Sequence, residues 1–189
     1  MFAYEDNAKP EFSPLTTPVS YMLTDISITR EEVTNLAAPH GDNITEEELL
    51  ELLIDTRQVV LSGPPGTGKS YISNRIKMEF DHSYLIQFHP NLTYEQFIGG
   101  STFDENGVVH PKTGVFLELC HEAGKTENSN QKYLFMIDEI NRGNVSKIFG
   151  ETILALDREY TVQLPTALIA KDLSTVTEFR IPENVYILA

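Results

Sequence analysis

The sequence predicts an α/β fold in which helices cover both faces of a parallel sheet, and three observations carry that prediction. From residue 45 onward, short apolar runs of strand length alternate with stretches of helical periodicity. The first of these runs, Val59-Val60-Leu61, leads into Gly63-Pro64-Pro65-Gly66-Thr67-Gly68-Lys69-Ser70, a complete G-x-x-x-x-G-K-[ST] phosphate-binding loop. A later run, Tyr133-Leu134-Phe135-Met136-Ile137, ends in Asp138-Glu139. Open parallel sheets bind ligands at the carboxyl ends of their strands, and both motifs fall there.

Residues 1–43 carry Pro10, Pro14, Pro18 and Pro39 among Ser, Thr and acidic residues, with only short apolar pieces such as Tyr21-Met22-Leu23. They read as a linker or lead-in, and 44–189 as the nucleotide-binding core. Thr45 with Glu48 fits a capping box for a short amphipathic helix through Leu49, Leu50, Leu52 and Leu53. Strand one spans roughly 58–62. After the loop, a helix runs from Lys69 to about Phe80, with Ile72, Ile76 and Phe80 toward the sheet. A strand at Tyr84–Phe88 follows, and Thr93 with Gln96 caps a short turn through Phe97 and Ile98.

Asp104 to Val109 reads as a hairpin, because Asn106-Gly107 tolerates the positive φ of a tight turn. Val115, Phe116, Leu119 and Ala123 mark a helix, and 124–131 a surface loop. Beyond the buried strand at Tyr133–Ile137, Asn144 caps a helix carrying Ile148, Phe149, Thr152, Ile153 and Leu156. Two β-type segments, Tyr160–Leu164 and Thr175–Ile181, precede a last strand at Val185–Ala189.

Composition narrows the function. The 189 residues, 41% hydrophobic and 22% charged, suit one main core. The formal net charge is −14, and residues 1–60 alone hold 12 acids against 3 bases. That balance argues against nonspecific binding to a nucleic-acid backbone, while local basic patches or a partner subunit could still make such a contact in a larger assembly. The single Cys120 rules out an intrachain disulfide, and its apolar helical setting favours a core thiol over a nucleophile. No run is long and apolar enough to span a membrane, and the N-terminus lacks a signal peptide's basic and apolar regions, so a cytoplasmic protein is expected.

The two motifs specify chemistry when they occur together. A triphosphate needs several donors converging on its oxygens, and glycines let successive backbone N–H groups turn inward at a helix start. Lys69 adds a cation for the β and γ groups. Ser70 is a magnesium ligand, and Asp138 completes the ion's shell, usually through water. Glu139 then orients or deprotonates the attacking water. Alone, Asp-Glu after an apolar run is as well explained by a solvated strand end. Hydrolysis also needs a positive group on the γ-phosphate in the transition state; Arg142, Arg158 and Arg180 are the candidates, with Arg142 nearest to Asp138 in sequence. The competing role for Arg142 is a surface ion pair with a nearby acid. The histidines at 40, 82, 89, 110 and 121 show no zinc-ligand spacing. Tyr94 and Phe97 read as a core staple.

The loop, the segments Gln87-Phe88-His89-Pro90 and Tyr94-Glu95-Gln96-Phe97-Ile98, the piece Gly114-Val115-Phe116-Leu117, the run from Ile137 to Glu151 and the stretch Ile181–Ile187 together resemble the McrB family, across about residues 45 to 189. These are GTP-hydrolysing motor subunits of methylcytosine-specific restriction systems, within the AAA+ superfamily. The resemblance implies a P-loop NTPase fold, GTP with Mg2+, a ring that is usually hexameric, and a separate McrC-like nuclease subunit. The residues themselves leave GTP and ATP open, because a phosphate loop reads phosphates and no Asn-Lys-x-Asp guanine signature occurs. Family members carry an upstream DNA-recognition domain and continue past the last strand into an Asn-bearing sensor, a fifth strand and a helical lid. The sequence is therefore expected to be a fragment truncated after the fourth core strand, with the phosphate-loop strand as an exposed edge. Two other readings stay open: a MoxR-like or dynein-related ATPase that remodels proteins, and a nucleotide-binding assembly module without turnover.

Overall fold

The computed structural model describes residues 19–21, 44–64, 66–103 and 106–189. Its centre is a five-stranded sheet in the order β1-β2-β9-β6-β3. Four of these strands are mutually parallel: β2 (Gln58–Ser62), β9 (Val185–Leu188), β6 (Tyr133–Asp138) and β3 (His82–Gln87). Residues 133–137 of β6 are all buried because both faces of the strand are covered, as in parallel sheets generally. Their side chains alternate between two cores. Leu134 and Met136 join Tyr186 and Leu188 under α1 (Glu46–Thr56) and α2 (Lys69–Ile76). Tyr133, Phe135 and Ile137 join Val185 and Ile187 on the other face.

The second core is aromatic. Phe97, fully buried, has Phe149, Phe116, Phe88 and Phe135 with ring centroids at 4.8, 5.0, 5.6 and 5.8 Å. The Phe116 ring stacks on Phe97 and the other three meet it tilted or edge-on, and aromatic contacts of these kinds add about 0.5–1.5 kcal/mol each beyond burial. They gather α3 (Tyr94–Phe97), α4 (Val115–Ala123) and α5 (Val145–Phe149) onto one sheet face. Cys120, buried in the same core, has its thiol pKa pushed up by desolvation, which agrees with a core thiol.

Both capping boxes form: Thr45 with Glu48, and Thr93 with Gln96. Asn144 Oδ1 accepts from Lys147 N–H at 3.0 Å and starts α5. The expected helix through Leu156 is corrected. At Gly150, φ +55°, the α-helix stops, and Gly150–Leu156 continues as 3₁₀ turns. The Tyr94 ring sits where a Gly150 side chain would be, and its hydroxyl donates to Glu151 Oε1 at 2.7 Å. The expected hairpin is present as β4 (Gly99–Phe103) against β5 (Val109–Thr113), although Asp104 and Glu105 lie outside the described residues. The segments before β9 pair as a second hairpin, β7 (Val162–Ile169) with β8 (Thr175–Phe179).

The exposed edge expected at the phosphate-loop strand is also corrected. Val19–Tyr21 (β1) adds to β2 in antiparallel register, with Val19 opposite Ser62 and Tyr21 opposite Val60. Unpaired N–H and C=O groups of an edge strand template any extended segment, and here part of the lead-in takes that place. The remainder of 1–43 lies outside the described residues.

Candidate active site

The parallel strands end together. Val59 and Met136 both pair with Leu188 of β9, so two residues further on Leu61 and Asp138 stand level. One strand, β9, separates them. Two strand spacings put the loop strand and the acidic strand about 10 Å apart. The phosphate loop leaves β2 on this edge and opens α2.

Within the loop, Gly66 and Gly68 have φ of +82° and +85°, and Gly68 caps α2 in the left-handed conformation. A Cβ at either position would meet nothing within 4 Å, so the backbone angle, and not lack of space, demands glycine. Pro65 lies outside the described residues. Thr67 Oγ1 donates to Pro64 O at 2.9 Å and tightens the turn. Lys69 Nζ folds back over the loop, donating to Gly63 O at 2.6 Å and Pro64 O at 2.9 Å. Ser70 is exposed in the first turn of α2. The loop thus brings a cation, a hydroxyl and a helix N-terminus into one short stretch, the kinds of group that a phosphate chain requires.

Asp138, exposed, closes β6, and its carbonyl accepts Phe88 N–H at 2.8 Å, which locks the strand end to the segment after β3. Glu139 follows in the left-handed region, φ +54° and ψ +43°. A non-glycine residue there costs roughly 1–2 kcal/mol, and such strain collects at functional sites. The turn is held from two sides. Arg142 N–H donates to Glu139 O at 2.8 Å, and Arg142 Nε lies 3.2 Å from Glu139 Oε2. At Gly143 a Cβ would come within 2.7 Å of Ile148 Cδ1 and 2.9 Å of Phe88 Cδ2, so only glycine lets the turn lie on the aromatic core. Sequence reasoning gave Gly143 no role; its place between the acidic pair and the Asn144 cap was the available signal.

Ser70 and Asp138 supply the hard oxygen donors that magnesium prefers. Among the described residues no group of three or more His, Cys, Asp or Glu could hold a metal ion. Of the three arginines, Arg158 is removed from contention. Its guanidinium is partly buried at the amino ends of the strands, donating to Pro182 O, Val185 O and Arg57 O at 3.0, 3.1 and 3.4 Å, away from the loop. Arg180 is exposed beyond β8.

A Ser-His-Asp cluster occurs elsewhere and differs from a nucleophile relay. His121 Nε2 faces both Ser174 Oγ at 2.9 Å and Asp172 Oδ2 at 3.1 Å, whereas a relay uses the two ring nitrogens separately. The cluster clasps the β7–β8 turn to α4. Hydrogen bonds from the Ser174 hydroxyl, then from Lys125, hold the Asp172 carboxyl well below the usual carboxylate range. A depressed folded pKa contributes stability above the unfolded value near 3.9 and loses it as pH falls from there through the folded value. Asp172→Asn is accordingly expected to lower the melting temperature at pH 7, with the difference shrinking below about pH 4; melts at the two pH values check it, and a constant difference would refute it.

A family model described as AAA domain (dynein-related subfamily) matches residues 58–180. The chain is 31% identical over 190 residues to the type IV methyl-directed restriction enzyme EcoKMcrB subunit of Escherichia coli strain K12, an alignment covering 97% of this chain and 39% of that protein. It is 30% identical over 132 residues to the type II restriction enzyme BsuMI component YdiS of Bacillus subtilis strain 168, covering 54% of this chain and 38% of the relative. The alignments thus span about two fifths of the length of these two curated relatives. Among the described residues no helix is long and apolar enough to cross a membrane.

Proposed function

The chain belongs to the dynein-related subfamily of AAA domains, P-loop nucleoside triphosphate hydrolases related to McrB, and from that premise we propose that it binds and hydrolyses GTP, with ATP as the less favoured nucleotide, as the motor module of a DNA restriction complex. The observation that carries the reading is the level placement of the phosphate loop and Asp138-Glu139 on one edge of one sheet. Backbone N–H groups of Gly63–Ser70 bind phosphate oxygens, and Lys69 turns from its own loop carbonyls to the β and γ groups. Ser70 and Asp138 would hold magnesium, which when bound would neutralise charge on the phosphates. Glu139 orients the attacking water.

GTP is preferred over ATP on the likeness to McrB alone. The same likeness supports a ring of copies, probing DNA through other domains or subunits and serving an McrC-like nuclease. The subfamily match also favours a second reading, a MoxR-like or dynein-related ATPase that remodels proteins.

Melting temperatures of the full chain with magnesium and either nucleotide, read beside phosphate release, test the proposal. A nucleotide at a hundredfold excess over its Kd adds about 2.7 kcal/mol, or roughly 5–10 °C in a domain of this size. A larger rise with GTP, with phosphate released, is the expected result. A larger rise with ATP favours the second reading. A rise without phosphate release, even with the nuclease partner added, reduces the chain to a nucleotide-binding assembly module.

A further inference from the structure

Arg142 and Glu139 are three residues apart, yet two independent contacts join them: a hydrogen bond from the backbone N–H to Glu139 O, and an ion pair with Nε 3.2 Å from Oε2. Among the described residues no other cation pairs with Glu139. Lys69 is engaged by its own loop. We infer that Arg142 contributes to hydrolysis through Glu139 of its own chain, as a positioning residue, and not as a cation on the phosphates. This rests on the reading of Glu139 as the water-orienting carboxylate.

The physical need is clear from the turn. Glu139 is 38% exposed at its side chain and sits at a strand end, so nothing in the core fixes its rotamer. A carboxylate that activates water must point steadily at one place, and misplacement by about 1 Å can cost on the order of 100-fold in rate. The left-handed backbone at Glu139 starts the Ile140–Arg142 3₁₀ turn, and Gly143 presses that turn onto Phe88 and Ile148. The turn thereby returns the Arg142 guanidinium to the carboxylate three residues before it.

A double-mutant cycle on the full chain separates the two roles, with phosphate release at saturating nucleotide as the readout. Arg142→Ala is expected to lower kcat roughly 10- to 100-fold with KM nearly unchanged, and Arg142→Lys to recover part of the loss. In the Glu139→Gln background, Arg142→Ala should change the residual rate by less than about twofold, because its path of action is already gone. If the two losses multiply, Arg142 acts on the phosphates and the inference is overturned. If Arg142→Ala leaves kcat unchanged at an unchanged melting temperature, it is overturned as well. Should the Gln background be too slow to follow, the cycle on Glu139→Asp gives the same decision. If Glu139→Gln alone hydrolyses at the wild-type rate, the underlying reading of Glu139 fails first and takes the inference with it.

Discussion

Glu139→Gln is expected to lower nucleoside triphosphate hydrolysis by roughly 10²–10⁴-fold, the range of a lost general base, while nucleotide affinity stays within about twofold. The substitution is nearly isosteric, so the turn should survive it. The bond from Arg142 N–H to Glu139 O involves only backbone and persists. What disappears is the charge that orders water and draws off its proton, together with an exposed ion pair worth about 0.2–1 kcal/mol. A fall of less than about 1 kcal/mol in stability cannot account for a thousandfold loss of rate, which keeps catalysis and folding distinct. Glu139→Gly is the informative companion. It should be equally inactive yet more tolerant of φ +54°, and a small gain in melting temperature would show strain retained for function. Phosphate release and a fluorescent-nucleotide titration measure the two arms. A Gln variant within a few-fold of wild-type turnover would end the assignment of Glu139.

Much of the local structure at this site is legible in the sequence, for physical reasons that differ by element. The phosphate loop is local: Gly66 and Gly68 need positive φ whatever surrounds them, so their spacing from Lys69-Ser70 carries the geometry. The buried β6 run and the two capping boxes are local in the same sense. Strand order is not local, and the sequence could not tell that β9 intervenes between the loop strand and Asp138. Nor could periodicity foresee the break at Gly150. Ile148, Phe149 and Thr152 are all buried, as helical spacing required, but the Tyr94 ring decides the backbone there from 56 residues away. Arg158 failed as a catalytic candidate for a related reason: an arginine's target is set by tertiary packing, and its own turn shows nothing of Pro182 or Val185. Arg142 escaped that difficulty because its partner is three residues away.

Lys69→Ala is expected to weaken nucleotide binding by roughly 10²–10³-fold, the equivalent of one or two charge-assisted bonds at about 1.5–3 kcal/mol each. The same change should leave the melting temperature without nucleotide almost unmoved. Lys69 Nζ bonds only within its own loop, to Gly63 O, Pro64 O and, at 3.4 Å, Thr67 Oγ1, and Pro64 is exposed, so water replaces the ammonium there at little cost. The contrast between a large binding effect and a small folding effect distinguishes a phosphate-binding lysine from one that merely braces a turn. Lys69→Arg sharpens it. A planar guanidinium retains the charge but is wider than an ammonium and brings a rigid fork of donors into a loop shaped for a point charge. Restored affinity with Arg would mean that net charge suffices. Continued weakness would place the requirement in the fit of one compact cation between Gly63 and the phosphates, which the curl of the loop at Gly66 and Gly68 exists to provide. Unchanged affinity with Ala would remove Lys69 from the site and, with it, the central support for reading this loop as a triphosphate cradle.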